Sequence, residues 1–261
     1  GRLDEFASKA KVIHVDIDPT SIAKLVVPDY PIVGDLKITV KAMIEAIENG
    51  ENEFNDYSNW VELLRDYREK EPLRYIDSNE VIKPQWPIQR VGQLLGAKAI
   101  ISTDVGQHQM WTAQFYPFSY PRQWITSGGL GTMGFGLPAA MGVARALKGT
   151  DKVSINFTGD GSILMNIQEL MTCVEYELPV INIILNNNYL GMVRQWQTMF
   201  YGNRLSETDL SAQPNFKMLV EAFGGLGYRV TTKEEFDIAL KDAVEKKRPA
   251  MIEVVVARHE E

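Results

Sequence analysis

The chain reads as an α/β protein: a doubly wound, mainly parallel sheet preceded by the tail of a second α/β domain. Short apolar runs at 99–103, 152–157, 180–185 and 251–256 supply the strands, and helix-length amphipathic segments lie between them. Turns rich in Gly, Asp and Asn follow several of the strands. Strand, helix, strand units of this length join parallel strands by right-handed crossovers, so successive carboxyl ends gather at one edge of the sheet.

In chain order, residues 12–17 form a strand. Pro19 marks a turn before a short helix, 30–33 is a second strand, and Gly34-Asp35 opens a helix running through Ile47. Segment 1–48 has too little apolar surface for an independent core, so it is expected to be the closing piece of a domain whose beginning is missing. Segment 49–86 is acidic, carries Asn, Pro and Ser, and holds one amphipathic helix with Trp60, Leu63, Leu64 and Tyr67 on a face. A linker lying over the neighbouring domain accounts for both features.

From 87 to 261 the pattern is regular. Helix 87–95, strand 99–103, a weak strand at 122–127, helix 134–147 and strand 152–157 come first. Helix 163–176 then places Ile163, Ile167, Leu170, Met171 and Val174 on one side, before strand 180–185. Helix 215–223, strand 228–230, helix 233–247 and strand 251–256 complete it. The chain stops just after a strand and is expected to be truncated at both ends. It contains no internal repeats or low-complexity tracts.

Composition narrows the function. A net charge of −7 argues against a nucleic-acid groove, and no apolar run approaches the ~20 residues of a membrane helix. Cys173 is the single cysteine, expected to be a buried packing residue, which fits a reducing, cytoplasmic setting. No signal peptide is visible, although Gly1 is not a natural start.

The most informative feature is Gly159-Asp160-Gly161-Ser162 at one strand end and Asn186-Asn187-Asn188 at the next. The crossover makes Asp160 and Asn187 converge. The two glycines are expected to let the backbone turn sharply, and Ser162 to cap the following helix, whose N–H groups face an anion. A carboxylate with an amide carbonyl suits Mg²⁺, which keeps few protein ligands and is completed by phosphate oxygens. A rival reading takes Gly129-Leu130-Gly131-Thr132-Met133-Gly134 as a dinucleotide fingerprint with Asp160 as its ribose acid. The strand ahead of it is weak, and the acid comes later than the roughly 20 residues expected. A binding module without catalysis is the alternative from another class.

The Gly-Asp-Gly turn with its Asn pair resembles the thiamine diphosphate (ThDP) motif. Three longer segments, 106–111 (GQHQMW), 127–138 (SGGLGTMGFGLP) and 191–197 (GMVRQWQ), look like the catalytic subunits of the acetohydroxyacid (acetolactate) synthase family. That resemblance runs through nearly the whole chain and implies a ThDP-binding fold at 87–261, with 1–48 as the remnant of a central FAD-associated domain. It implies Mg²⁺ ligation by the side chains of Asp160 and Asn187 and the carbonyl of Tyr189. Coenzyme contacts come from Val105, Gly106, Gln107, His108, Gly131, Met133, Gly159, Gly161, Ser162, Leu190, Gly191 and Met192. By the same resemblance Met192, Val193 and Trp196 would border the substrate, and Met133 would be the prop that bends the coenzyme. For FAD the matching positions are Asp16, Ile17, Gly34, Asp35, Gln109, Met110, Gly128 and Gly129, while Ser21 stands where relatives often carry Glu.

The implied reaction decarboxylates pyruvate and condenses it with a second 2-oxo acid in branched-chain amino-acid biosynthesis. Another ThDP-dependent decarboxylase or carboligase is the alternative within the class. The glutamate that activates the coenzyme belongs, by the same resemblance, to an amino-terminal pyrimidine domain reaching in from a neighbouring subunit. No catalytic residue is therefore assigned within this chain, and alone it should turn over almost nothing. A homodimer or tetramer with a regulatory small subunit, in the cytoplasm if bacterial, completes the expectation.

Overall fold

Alternation along the strands decides the architecture. In the computed structural model, which describes residues 2–50 and 55–260, the chain divides into two units, Gly1–Pro72 and Leu73–Glu261. Residues 51–54, inside the segment read as a linker, lie outside the described part.

In the first unit, β1 (Ile13–Asp16) pairs in parallel with β2 (Tyr30–Val33), and α1 (Leu36–Asn49) follows. Asp35 caps α1 by accepting the Ile38 N–H at 3.1 Å. The helix α2 (Ser58–Lys70) carries the Trp60 face. The short helix expected after Pro19 does not form. Asp18 instead accepts the Thr20 N–H at 2.8 Å in a local turn, and Ala23 adopts a left-handed φ of 59°, which a helix cannot continue through.

The second unit is a six-stranded, wholly parallel sheet in the order β4-β3-β5-β6-β8-β7. Its strands are β3 (Ala99–Thr103), β4 (Trp124–Thr126), β5 (Val153–Gly159), β6 (Val180–Asn186), β7 (Leu226–Val230) and β8 (Ala250–Val255). Helices α3 (Gln85–Leu95), α4 (Gln107–Phe115) and α5 (Gly136–Ala146) come before β5, and the short helices α6 (Asp160–Ile163) and α7 (Glu169–Glu175) after it. Helices α8 (Gly191–Phe200), α9 (Phe216–Ala222) and α10 (Lys233–Lys246) complete the unit.

Successive side chains of β6 point to opposite faces. Ile181, Ile183 and Leu185 pack with Ile88, Val91, Trp111 and Phe236 of α3, α4 and α10, whereas Val180 and Ile184 pack with Leu137, Leu170 and Phe216 of α5, α7 and α9. Both faces are thus covered, which is why the central strands read as near-continuous apolar runs. Cys173 is buried in the second layer, and burial pushes its thiol up to about 12.

The continuous helix expected at 163–176 is broken. Asn166 spends its side-chain amide on the carbonyl of Gly134 at 2.8 Å, and α6 and α7 stand on either side of it. Two helices that begin at the site, α4 and α8, were not laid out as elements by periodicity. The chain returns past its starting strand between β3 and β5, and the carboxyl ends of β3, β5 and β6 open there onto one cavity.

Candidate functional site

A cavity of about 230 Å³ is lined by the segments following four strands. Val105, Gly106, Gln107, His108 and Trp111 follow β3, Gly131 and Met133 follow β4, and Gly159 to Ser162 follow β5. Leu185, Asn187 and 189–193 complete it after β6. Every residue assigned to the coenzyme or the metal borders this space, as do Met192 and Val193 from the substrate group. Trp196 does not. It sits on the same helix but outside the lining, 59% exposed and edge-on to Phe200.

The site's charge is sparse. Its lining holds one carboxylate, Asp160, one imidazole, His108, and no lysine or arginine. Asp160 is only 2% exposed, and burial pushes its carboxyl up to about 6 against hydrogen bonds from Gln213 and from the backbone N–H groups of Gly161, Asp160 and Asn188. A diphosphate placed here would meet no cationic side chain of the lining, so its charge would fall to backbone N–H groups and to any bound cation. No cluster of three or more His, Cys, Asp or Glu able to hold a metal exists among the described residues. Such an ion would lean on neutral oxygens and on the ligand's own, as Mg²⁺ does. The side chain of Asn187 accepts the Tyr189 N–H at 3.1 Å and donates to Gln107 at 3.4 Å. Its carbonyl oxygen retains a second lone pair for a cation.

The glycines of the turn have a different role from the expected one. Gly159 has an ordinary extended φ of −100°, and Gly161 is not among the positive-φ positions. What distinguishes these positions is crowding. A Cβ on Gly161 would lie 2.8 Å from Leu190 Cδ2, and one on Gly191 would fall 1.9 Å from Gln107 Oε1. Ser162 likewise does not cap the helix, because it is the third residue of α6 and its hydroxyl donates to the carbonyl of Val105 at 3.1 Å. It ties the β5 end to the β3 end instead.

His108 is buried, with its Nδ1 and Cε1 edge against Gly106 and Gly159, where a Cβ on either would come within 3.0 Å of Nδ1. Its Nε2 has no hydrogen-bond partner among the described residues, which leaves a buried polar atom of a cavity-lining side chain for a ligand to satisfy. Burial pushes its pKa down to about 3, opposed by contact with the Asp104 backbone. The folded state therefore binds fewer protons than the unfolded state between about pH 6.5 and 3. Stability from this group is complete above pH 6.5 and is lost as pH falls through that window, on the order of several kcal/mol. Asp104 and Asp160, whose carboxyls burial raises, act with the opposite sign, so the test is a difference. In denaturant titrations from pH 7 to 4, His108→Gln should lose less stability than the wild type. Parallel curves would refute the assignment.

Periodicity missed several residues that shape this site. Trp111, at the end of the family-like segment 106–111, and Leu185, in a strand that reads as buried, take no site role from the sequence, yet both line it. Gln213 donates to the Asp160 carboxylate from a loop far along the chain. Asp104 is fully buried under the β3 end, accepting the Gly136 N–H at 2.8 Å and the Thr158 hydroxyl at 2.6 Å. Near the carboxyl terminus, Arg258 stacks 4.4 Å over the Tyr189 ring, and the carbonyl of Glu260 accepts from Gln107 at 3.1 Å. Of the FAD positions, Gln109 donates to Thr126 at 2.7 Å and Met110 is exposed on α4, with Gly128 and Gly129 in the loop after β4. Asp16, Ile17, Gly34 and Asp35 cluster at the β1 and β2 ends of the other unit.

A parallel sheet with an acid, an amide and a glycine-lined cradle at its switch point defines a coenzyme-diphosphate binding domain, and comparison with known proteins agrees. Residues 104–254 match the family description "Thiamine pyrophosphate enzyme, C-terminal TPP binding domain", and residues 1–43 match "Thiamine pyrophosphate enzyme, central domain". The chain belongs to the thiamine pyrophosphate enzyme family. Within it, the chain is similar to acetolactate synthase large subunits. It is 46% identical over 248 residues to the isozyme 3 large subunit of Escherichia coli (strain K12), covering 94% of this chain and 43% of that protein. It is 44% identical over 242 residues to the large subunit of Haemophilus influenzae, covering 92% and 42%, and 41% identical over 268 residues to acetolactate synthase 3, chloroplastic, of Brassica napus, covering 100% and 41%. The chain thus spans less than half the length of these relatives. No helix among its described residues is long and apolar enough to cross a membrane.

Proposed function

We propose that this chain is the coenzyme-binding part of an acetolactate synthase, an enzyme that decarboxylates pyruvate and joins it to a second 2-oxo acid. The observation that carries the reading is the cavity whose lone carboxylate, Asp160, shares its wall with Asn187 and an unpartnered imidazole nitrogen. Asp160, Asn187 and the Tyr189 carbonyl would hold Mg²⁺, and Gly161, Ser162, Gln107 and His108 the diphosphate. When bound, ThDP supplies the electron sink that decarboxylation of a 2-oxo acid needs.

The chain's own residues position and exclude. Met133 would support the coenzyme, Gly131 would let it approach the backbone, and Met192 and Val193 would present apolar surface that limits water in the cavity. A cavity of about 230 Å³ falls below the ~300 Å³ at which pockets for whole drug-sized ligands begin. That size supports a site for one end of ThDP, the other being met by the pyrimidine domain of a neighbouring subunit, whose glutamate would activate it. Gln109, Met110, Gly128 and Gly129, together with Asp16, Ile17, Gly34 and Asp35, are proposed FAD contacts. A homo-oligomer in a cytoplasmic setting, with a regulatory small subunit, fits the same reading.

Product analysis tests it. The full chain is mixed with the amino-terminal portion of a relative, pyruvate, ThDP, Mg²⁺ and FAD. Acetolactate should form only when both polypeptides are present. ThDP-independent NAD⁺ binding would favour the dinucleotide reading, and binding of neither coenzyme would favour a non-catalytic module.

A further inference from the structure

Gln213 lies in the loop between α8 and α9 and reaches the buried Asp160 carboxylate. Its Nε2 donates to Asp160 Oδ2, while its Oε1 accepts from Asn186 Nδ2 at 2.8 Å. The same Asn186 nitrogen donates to Glu253 Oε1 at 2.9 Å, and Asn186 Oδ1 accepts the Asn188 N–H at 3.1 Å. Glu253 is 5% exposed and pairs with Arg229 at 3.4 Å.

The polarity of this chain follows from donor chemistry. An ionised carboxylate only accepts, and a backbone N–H only donates, so Glu253 and the Asn188 N–H together dictate which way the Asn186 amide faces. Asn186 must then offer N–H to Gln213, and Gln213 must present its own N–H₂ to Asp160. The result is that Asp160 Oδ2 is engaged by a fixed side-chain donor, and Oδ1, which accepts from no side chain among the described residues, is the oxygen left to an ion.

We infer that Gln213 is a positioning residue that restricts Asp160 to one-oxygen coordination and so makes the site prefer Mg²⁺ to Ca²⁺. Mg²⁺ takes single carboxylate oxygens in a tight octahedron, whereas the larger Ca²⁺ readily accepts a carboxylate through both oxygens. The inference rests on the ThDP and Mg²⁺ reading above and adds to it a source of metal selectivity in a loop outside the coenzyme motif.

The test measures Mg²⁺ and Ca²⁺ affinities of the full chain by calorimetry with ThDP present, for wild type, Gln213→Met and Gln213→Asn. Methionine keeps the length without the amide, and asparagine is too short to span both partners. Mg²⁺ affinity should fall about tenfold, as expected for losing an outer-shell partner of a metal ligand. Ca²⁺ affinity should hold or rise, so the Mg²⁺/Ca²⁺ ratio falls by about tenfold or more in both variants. General loosening of the loop would weaken both ions alike, and an unchanged ratio in either variant overturns the inference. Absence of metal-dependent ThDP binding in the wild type would instead overturn the underlying coenzyme site.

Discussion

Asp160→Asn is expected to weaken magnesium-dependent ThDP binding at least ~100-fold, equivalent to about 3 kcal/mol, while leaving the fold intact. Asp160 is the one carboxylate of the cavity lining, so on the proposed reading its loss would remove the only anionic side chain that lining offers an ion. The same burial that would make it a strong ligand makes its charge costly without an ion, and its carboxyl is pushed up to about 6. Asparagine keeps the shape and can still accept the backbone N–H groups that face this position. Thermal unfolding without ligands should therefore show an unchanged or slightly higher midpoint, and calorimetry with ThDP and Mg²⁺ should show little heat. Wild-type affinity in the variant would refute the metal role, and a large fall in midpoint would make Asp160 structural.

The convergence on which this rests was legible in the sequence because two kinds of regularity overlap there. Apolar runs located β5 and β6, and chirality of the crossover put their carboxyl ends side by side, so Asp160 and Asn187 could be paired without coordinates. The roles of neighbouring residues were less legible. A Gly-Asp-Gly turn suggests backbone freedom, yet what marks Gly159 and Gly161 is the crowding of His108, Leu190 and Leu210 around their Cβ positions. Those partners are far apart along the chain and meet only through the sheet order. The break at Asn166 was hidden for a similar reason. The apolar spacing from Ile163 to Val174 is helical, and only the carbonyl of Gly134, brought over from the loop before α5, draws the Asn166 side chain away. Gln213, Asn186 and Glu253 form a polar chain drawn from three separate elements, which no local pattern encodes.

Gly136→Ala should destabilise the protein by roughly 3 kcal/mol, although helix propensity alone favours alanine by about 1 kcal/mol. A Cβ at this buried position would lie 2.4 Å from Asn156 Oδ1, 2.7 Å from the Asp104 backbone nitrogen and 2.9 Å from Asp104 Cγ. None of these can move cheaply. The Asp104 N–H bonds the Phe157 carbonyl at 3.0 Å, and Asn156 donates to Asn182 at 2.9 Å across β5 and β6. Overpacking costs about 1–3 kcal/mol, and pulling Gly136 away leaves the buried Asp104 carboxyl short of a donor at a further cost of about 1–3 kcal/mol. Gly142 on the same helix provides the control, because nothing lies within 4 Å of its Cβ position and alanine there should gain the propensity term. Urea midpoints should therefore rank Gly142→Ala above wild type and Gly136→Ala below it. Because Asp104 leads directly into Val105 to His108, the Gly136 variant should also lose ThDP affinity. A midpoint at or above wild type for Gly136→Ala would show that the β3 end yields to α5, and that the cavity is less rigidly held than its packing implies.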